Sequence, residues 1–393
     1  MMEAGKELEG NVLVVQSGGI SPASNAALAG VISNALNYEA VGEIFGSRDG
    51  FCGILNDDLV DLAVQSQQTI RDLLFTPGAA LGSFPWTERS EEEFEALLQA
   101  LERHNIRFLF IIGDAEAQAI ALELTQWMQG RYDLRIIALP ESNHNTLPLT
   151  DHGFGYGSSA KFVASVVSEV SLYTSTVANH DWVNIIELEG NNTEWLIAAA
   201  LLAHQREEIA APLLLLPSVP FSAEAFLNRV QSELKSHTAC TVVTGATLID
   251  QEGNFIAHSN SSVKLRILLE ESLEVHVTVT QLGALQWAAA HNLSQTDIDE
   301  AYMCGKKAVD FALDGVTGKM VTLLRAEGSR YSVEYGVADL SNVVSHQKAL
   351  PEHWFGEDGT LNHNFIKYAL PLIQGAVTCA EEDGLPRFAK LKR

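Results

Sequence analysis

The chain has 393 residues, of which 47% are apolar and 19% charged, a length and composition typical of a folded protein with two packed lobes. Its 25 Lys and Arg residues stand against 50 Asp and Glu, a formal net charge of −25, which disfavours nucleic-acid or anionic-membrane partners and repels polyanionic substrates at long range. Because the first residues carry no apolar targeting segment and no apolar run is long enough to span a bilayer, we expect a cytoplasmic location.

Short apolar runs rich in β-branched residues are bounded by glycine, proline or polar residues, which predicts buried strands. They are Val12–Val15, Phe108–Ile112, Ile136–Leu139, Val183–Ile186, Leu213–Leu216 and Thr241–Thr244. Helix-length segments lie between them: Ser90–His104 opens with a capping box, and Asp297–Asp314 is closed by Gly315. The alternation predicts an α/β fold of two Rossmann-like lobes, with parallel-rich sheets sandwiched by helices and ligands bound beyond the carboxyl ends of the strands.

The segment after the first strand is rich in small residues. It reads Gln16-Ser17-Gly18-Gly19-Ile20-Ser21-Pro22-Ala23-Ser24-Asn25 and leads into an alanine-rich helix. Small residues before a helix N-terminus can cradle a phosphate, and Gly18 and Gly19 are the candidates for that contact. Taken alone, the pattern fits a purely structural turn equally well, because glycine pairs are common in turns after strands.

Further motifs follow in order along the chain. They are Gly46-Ser47-Arg48-Asp49-Gly50-Phe51-Cys52-Gly53, Thr76-Pro77-Gly78-Ala79-Ala80-Leu81-Gly82-Ser83, Leu149-Thr150-Asp151-His152-Gly153-Phe154-Gly155, Ala301-Tyr302-Met303-Cys304-Gly305-Lys306 and Leu370-Pro371-Leu372-Ile373-Gln374-Gly375. With the S-G-G-x-x-P-x-x-N pattern of the first loop, they resemble phosphofructokinases over nearly the whole chain, and the later ones resemble the longer, mostly pyrophosphate-dependent bacterial branch. The resemblance implies the phosphofructokinase fold and dimers or tetramers with substrate sites partly shared across subunits.

The resemblance also implies how the lobes are divided. Residues 1–150 and about 290–325 would form a larger, donor-binding lobe, and residues 151–289 and about 326–380 an acceptor-binding lobe. The basic residues near the C-terminus separately predict a solvated tail over residues 381–393. In the loop where the family holds Mg²⁺ and the donor phosphates, this chain reads Gly113-Asp114-Ala115-Glu116-Ala117, so Ala115 replaces the metal-associated Asp. Gly113 remains a candidate phosphate contact, and Asp114 and Glu116 remain candidates for a hydrated Mg²⁺ if the protein is active.

The loop after the Ile136–Leu139 strand departs furthest from the family. There, an Asp takes the proton from the 1-hydroxyl of fructose 6-phosphate; here the loop reads Pro140-Glu141-Ser142-Asn143-His144-Asn145-Thr146, with His144 in the place of that Asp. A neutral imidazole accepts protons, so His144 is either a substitute base or simply a hydrogen-bonded loop residue. Glu141 stands where pyrophosphate-using members carry Lys, and we expect its negative charge to repel the donor.

Cationic groups that the family uses to bind phosphate are also replaced. Pro85 stands in the place of an Arg, and the sugar-phosphate motifs read Glu189-Gly190-Asn191, Pro217-Ser218 and Gly283-Ala284-Leu285-Gln286-Trp287. Each charge-assisted phosphate contact contributes roughly 1.5–3 kcal/mol, so losing several removes most of the affinity for a sugar phosphate. The residues that remain from the sugar-phosphate pocket are Ser142, Asn145, Asn191, Ser218 and Gln286.

We therefore predict a phosphofructokinase-like pseudoenzyme that has lost, or strongly reduced, phosphate transfer to fructose 6-phosphate. It would act by binding a small phosphorylated metabolite, or as a subunit assembled with itself or with an active paralogue. The alternative is an active diphosphate- or ATP-dependent 6-phosphofructokinase, or another sugar-phosphate kinase, with His144 as the base. A third hypothesis is a purely structural assembly partner.

Overall fold

The fold is described from a computed structural model covering residues 8–204, 210–257, 259–356 and 360–392. The strands in chain order are β1 Gly10–Ser17, β2 Val41–Ser47, β3 Leu59–Asp61, β4 Ile106–Gly113, β5 Arg135–Pro140, β6 Trp182–Leu188, β7 Leu213–Leu215, β8 Ala239–Gly245, β9 Leu248–Ile249, β10 Phe255–Ala257, β11 His276–Gln281, β12 Lys319–Arg325, β13 Val333–Asp339, β14 Glu381–Glu382 and β15 Leu385–Pro386. Each predicted strand lies within one of these, except that β7 stops one residue short of Leu216.

The helices connect the strands. In chain order they are α1 Ser24–Ala35, α2 Phe51–Leu55, α3 Gln67–Leu73, α4 Glu91–Arg103, α5 Ala115–Met128, α6 Tyr156–Val177, α7 Glu194–Ala199, α8 Ala223–Ser236, α9 Ser261–Ser272, α10 Leu285–Ala288, α11 Gln295–Leu313, α12 Leu340–Val343 and α13 His363–Ala369. Short 3-10 turns occur at Ala200–Ala203, Ala290–Asn292, Glu352–Trp354 and Leu370–Ile373. No helix within the described ranges is long and apolar enough to cross a membrane.

The chain divides into two compact units. Unit 1 consists of the described residues of Met1–Tyr156, Gln295–Lys348 and Gly375–Arg393. Its seven-stranded sheet has the order β13-β12-β5-β4-β1-β2-β3, in which only the edge strands β3 and β13 pair antiparallel with their neighbours. The central strands β1 and β4 are almost entirely buried, as expected for parallel strands covered on both faces.

Unit 2 consists of the described residues of Gly157–Ser294 and Ala349–Gln374. Its four-stranded sheet, in the order β11-β6-β8-β7, is parallel throughout. Its own apolar core includes Val183, Ile185, Val242 and Leu269. The prediction of an α/β fold with parallel-rich sheets is therefore confirmed.

The observed units divide the chain differently from the predicted lobes, chiefly over residues 326–348. The sequence assigned residues 326–380 to the second lobe, whereas β13 pairs with β12 along its full length and completes the sheet of unit 1. The pairing of two strands separated by a short connection is the reason for this difference. The donor-binding and acceptor-binding roles given to the two lobes remain predictions.

The start of α4 uses half of the predicted capping box. The Ser90 hydroxyl accepts a hydrogen bond from the Glu93 amide at 3.3 Å, as an N-cap residue does. The Glu93 carboxylate instead accepts a hydrogen bond from the Trp86 indole at 2.8 Å. A buried tryptophan N–H needs an acceptor, which explains why this carboxylate turns away from the cap.

The C-terminal segment, described over residues 381–392, is attached to unit 1. Arg387 forms an ion pair with Asp72 at 3.0 Å. The Lys392 amide donates to Gln65 Oε1 at 2.8 Å, and Gln65 Nε2 donates back to the Lys392 carbonyl at 3.0 Å. Most of these residues are also exposed, so the solvated basic tail stays a prediction to which the structure adds these contacts; the last residue of that predicted tail lies outside the described residues.

Candidate active site

The carboxyl ends of β1 and β4 meet at a loop that only glycine fits. Gly18 has φ +85°, and a Cβ there would lie 2.4 Å from Asp114 Oδ1. A Cβ on Gly113 would lie 2.0 Å from the Ser17 carbonyl oxygen. The Gly19 amide donates to Asp114 Oδ2 at 3.0 Å, so the loop after β1 is tied to the loop after β4. The candidate phosphate contacts Gly18, Gly19 and Gly113 are therefore brought together at one edge of the sheet.

Buried amides hold the start of α1 against the segment that follows α3. Gln16 Nε2 donates to Ser24 Oγ at 2.7 Å and to Asn25 Oδ1 at 3.1 Å. Asn25 Nδ2 donates to the Thr76 carbonyl at 2.8 Å, and the Leu81 amide donates to Gln16 Oε1 at 3.0 Å. These contacts give the two glycine-rich segments a shared scaffold whose polar groups are hydrogen-bonded to one another.

The two carboxylates predicted to hold Mg²⁺ have other partners. Asp114 caps α5 by accepting from the Glu116 amide at 3.1 Å, in addition to the bond from Gly19. Glu116 faces Arg89 at 3.9 Å. Among the described residues, no group of three or more His, Cys, Asp or Glu side chains is placed to hold a metal. The role of Asp114 and Glu116 as ligands of a hydrated Mg²⁺, which needs only one or two carboxylates, remains a prediction.

Glu141 is buried, with 2% of its surface exposed. Burial raises the pKa of its carboxyl from 4.5 to about 8. Hydrogen bonds from Ser21 and Ser24 lower the pKa in part, and the nearby charge of Asp114 raises it slightly. Ser24 Oγ donates to Glu141 Oε2 at 3.1 Å, while Oε1 has no hydrogen-bond partner. The expected negative charge is therefore corrected: at neutral pH this group is mostly a neutral acid, because the ionised form would lose its hydration.

His144 lies in the same loop and is also neutral at pH 7. Burial lowers the pKa of its imidazole, and Asp114 only partly offsets that effect. The Nδ1 atom is buried without a hydrogen-bond partner. An unprotonated ring nitrogen carries a lone pair, so the side chain has the protonation state that a general base requires.

The remaining polar residues of this loop support its backbone. The Ser142 hydroxyl accepts from the Thr146 amide at 3.2 Å. Asn145 is fully buried in the left-handed region, with φ 54°. Its Oδ1 accepts from Lys348 Nζ at 2.8 Å and from the Gly153 amide at 3.3 Å. The predicted role of Ser142 and Asn145 in a sugar-phosphate pocket stays a prediction, beside the loop-supporting contacts observed.

A buried charged network next to this loop was not anticipated from the sequence. His152, 1% exposed, contacts Asp151 Oδ2 through Nδ1 at 3.0 Å and Glu300 Oε2 through Nε2 at 2.7 Å. Although burial alone lowers the pKa of His152, Glu300 and Asp151 raise it to about 9. Tyr331 donates to Glu300 Oε1 at 2.7 Å, and Arg325 pairs with Asp151 at 3.1 Å. His152 belongs to one of the sequence motifs, but its partner Glu300 is 148 residues away in the chain, so the sequence does not show the pair.

Of the sugar-phosphate candidates of unit 2, Asn191 and Ser218 lie on loops, and Gln286 lies in the short helix α10. Gln286 is 1% exposed, and its amide both accepts from the Glu189 backbone N–H at 3.0 Å and donates to the Glu189 carbonyl at 2.7 Å. Ser218 donates to the Glu194 carboxylate. Asn191 is exposed in the bend after β6. Gln286 thus has a clear structural role in holding the loop after β6, and ligand contacts by these three residues remain predictions.

Comparisons with known proteins agree with this architecture. Residues 11–312 match the family model described as phosphofructokinase. A "Pyrophosphate--fructose 6-phosphate 1-phosphotransferase" of Halomonas elongata is 31% identical, covering 98% of this chain and 96% of that protein. One of the same name from Xanthomonas campestris pv. campestris is 32% identical, covering 98% of this chain and 96% of that protein.

Solved structures give the same result. A pyrophosphate-dependent phosphofructokinase from Nitrosospira multiformis superimposes with a TM-score of 0.92 at 31% identity, covering 98% of this chain and 97% of that chain. The match extends over both units, so it includes the glycine loop after β1 and the loop after β5. The chain belongs to the phosphofructokinase family.

Proposed function

We propose that this chain is a phosphotransferase that transfers the terminal phosphoryl group of diphosphate to the 1-hydroxyl of fructose 6-phosphate, with His144 as the general base. Donor and acceptor are taken from the names of the relatives, which match over nearly their whole length. The state of His144 carries the assignment of the base: its imidazole is neutral because it is buried, and Nδ1 has no hydrogen-bond partner. A neutral imidazole keeps a lone pair on one of its two ring nitrogens, as a general base requires.

In the proposed reaction, His144 accepts the proton of the 1-hydroxyl while that oxygen attacks the terminal phosphorus of the donor. The new P–O bond forms as the bridging P–O bond breaks, and phosphate leaves with the electron pair of that bond. The neutral carboxyl of Glu141 supports the use of an anionic donor, because it removes the repulsion that an ionised side chain would add. A Mg²⁺ ion would enter with the donor phosphates, with Asp114 or Glu116 as its candidate protein ligand, and would offset their negative charge.

The known departures from the family place limits on the rate. Removal of one electrostatic stabiliser of a transition state costs about 10²–10³-fold in rate, and this chain carries Pro85 and Asn191 where the resemblance expects arginines. We therefore expect turnover well below that of relatives that keep those cations. The prediction that catalysis has been lost altogether receives no support from the relatives, whose names describe transferases.

The proposal is tested by measuring fructose 1,6-bisphosphate formation from fructose 6-phosphate, with diphosphate and with ATP in separate reactions. We expect turnover with diphosphate and a loss of about 10²–10⁴-fold in kcat for His144→Ala, the range typical of a general base. The matched control is His346→Ala, because His346 is exposed and lies outside this loop. An unchanged kcat in His144→Ala would reject the base, and a lack of turnover with both donors would reject the activity.

A second candidate function is ligand binding or assembly without turnover. It is favoured by Pro85 and Asn191, which stand where the resemblance expects arginines. This candidate predicts that fructose 6-phosphate or diphosphate raises the melting temperature although no product forms. Co-expression with an active paralogue, followed by size-exclusion chromatography, would separate a mixed assembly from the dimers or tetramers that the family resemblance implies.

A further inference from the structure

Lys348 reaches the loop that carries His144 although the two residues are distant in the sequence. Its backbone N–H donates to the Thr146 carbonyl at 2.8 Å. Its Nζ atom donates to Asn145 Oδ1 at 2.8 Å and to the Asp151 carbonyl at 2.7 Å. One side chain therefore bonds to both ends of the segment from Asn145 to Asp151, directly after His144.

Other contacts support the middle and the far end of the segment, including the Asp151 amide, which donates to the Leu323 carbonyl at 2.8 Å, but Lys348 is bonded to both ends. Asn145 takes φ 54°, a region that most side chains avoid, and is fully buried. Its Oδ1 accepts from Lys348 and from the Gly153 amide. A residue in a sparsely populated backbone region keeps that conformation only where surrounding contacts hold it. Lys348 supplies two such contacts, from its side chain to Asn145 and from its backbone to Thr146.

We propose that Lys348 is a positioning residue that fixes the loop of His144, and thereby the place of the imidazole in the active site. The role of His144 as a base rests on the proposed function, whereas the role of Lys348 in fixing the loop does not. The groups that face the ammonium from neighbouring elements are Asp151 and Arg325, with His152 and Glu300 next to Asp151. Burial lowers the pKa of Lys348 to about 7, so its Nζ remains a hydrogen-bond donor in both protonation states.

The first readout is independent of activity. Histidine-selective NMR titration of the wild type is compared with Lys348→Met, which keeps the length of the side chain but removes the donor; the His144 signal is assigned with His144→Gln. We expect the depressed pKa of His144 to move back toward the ordinary value near 6.5 as the loop opens to water. We also expect the amides of Asn145 and Gly153 to exchange about tenfold faster or more, since a charge-assisted hydrogen bond is lost.

The second readout is kinetic. Misplacement of a catalytic group by about 1 Å can cost on the order of 10²-fold in rate, so Lys348→Met should lower kcat much more than it changes KM. Lys348→Arg should recover part of the loss because it restores a donor. The control is Lys307→Met, since Lys307 forms a surface ion pair with Asp310 at 3.0 Å on α11.

Two results would overturn the proposal. One is an unchanged His144 pKa together with unchanged exchange at Asn145 and Gly153 in Lys348→Met. The other is exchange that rises equally in β4, which would mean general destabilisation of unit 1. If Lys348→Met does not fold, the same comparison is made with Lys348→Gln, whose shorter amide keeps a donor but cannot span both ends of the segment. If the wild type shows no turnover, the proposed function fails while the NMR and exchange results still decide this inference.

Discussion

Replacing Glu141 by Gln should make the protein more stable at neutral pH, which is unusual for a change in a buried side chain. Burial raises the pKa of this carboxyl from 4.5 to about 8. Between these values the folded chain keeps a proton that the unfolded chain has released, so the unfolding free energy falls as pH rises. The interval from pH 4.5 to pH 7, at about 1.4 kcal/mol per pH unit, corresponds to about 3 kcal/mol. Glutamine of the same shape never ionises and avoids this cost.

Because the folded-state pKa of Glu141 is raised, its cost in unfolding free energy increases with pH. The penalty from Glu141 is absent below pH 4.5, grows as pH rises, and levels off above the folded pKa of about 8. The gain from Glu141→Gln should therefore be small at pH 5.5 and larger by about 2 kcal/mol at pH 7. Ser24 Oγ can still donate to the amide oxygen of the variant, so the hydrogen bond seen at 3.1 Å has a replacement.

The assay is urea unfolding followed by circular dichroism at pH 5.5, 7.0 and 8.5. The control is Glu334→Gln, because Glu334 is exposed on β13, and surface substitutions usually change stability by less than about 0.5 kcal/mol. A variant that is no more stable than wild type at pH 7, or whose advantage is the same at pH 5.5 and pH 8.5, would refute the claim that Glu141 is held neutral.

Three further predictions follow from the site. Because burial lowers the pKa of His144, kcat/KM should hold as pH falls through 6.5 and decline only at lower pH; a decline centred above 6.5 would contradict a buried base. Gly18→Ala should lower the unfolding free energy by about 1–3 kcal/mol more than Gly253→Ala does. Both glycines have positive φ, but of these two only Gly18 has an atom, Asp114 Oδ1, within 4 Å of the added Cβ. Equal losses would argue that the loop after β1 is not tied to Asp114. Glu300→Gln should lower the unfolding free energy by about 3–5 kcal/mol below pH 6.5. This loss should shrink as pH rises through the His152 pKa of about 9, because the raised pKa adds stability only while His152 is protonated. A loss that does not depend on pH would contradict an ion pair between His152 and Glu300.

The sequence predicts those parts of the fold that depend on local pattern. The apolar runs that became β1, β4, β5, β6, β7 and β8 are buried strands because their length and composition leave few other choices. The glycines after β1 and at the end of β4 were also recognisable, since positive φ and close backbone approach require glycine.

Other features of the site depend on burial and on contacts between distant residues, and the sequence does not predict them. Glu141 looked like a negative charge, and only its nearly complete burial explains why it is neutral. Lys348 lies 203 residues from Asn145, and Glu300 lies 148 residues from His152. Hydrogen bonds over such separations leave no periodic signal in one sequence, so the groups that support the His144 loop appear only in the folded chain.

The central claim, that this chain transfers phosphate from diphosphate to fructose 6-phosphate, is tested most directly by ³¹P NMR of the purified wild-type protein mixed with both substrates and Mg²⁺. The account predicts that the diphosphate signal falls while the signals of inorganic phosphate and of a new 1-phosphate ester grow in equal amounts. Spectra that stay identical to those of an enzyme-free mixture, with protein whose fold is verified by circular dichroism, would contradict it.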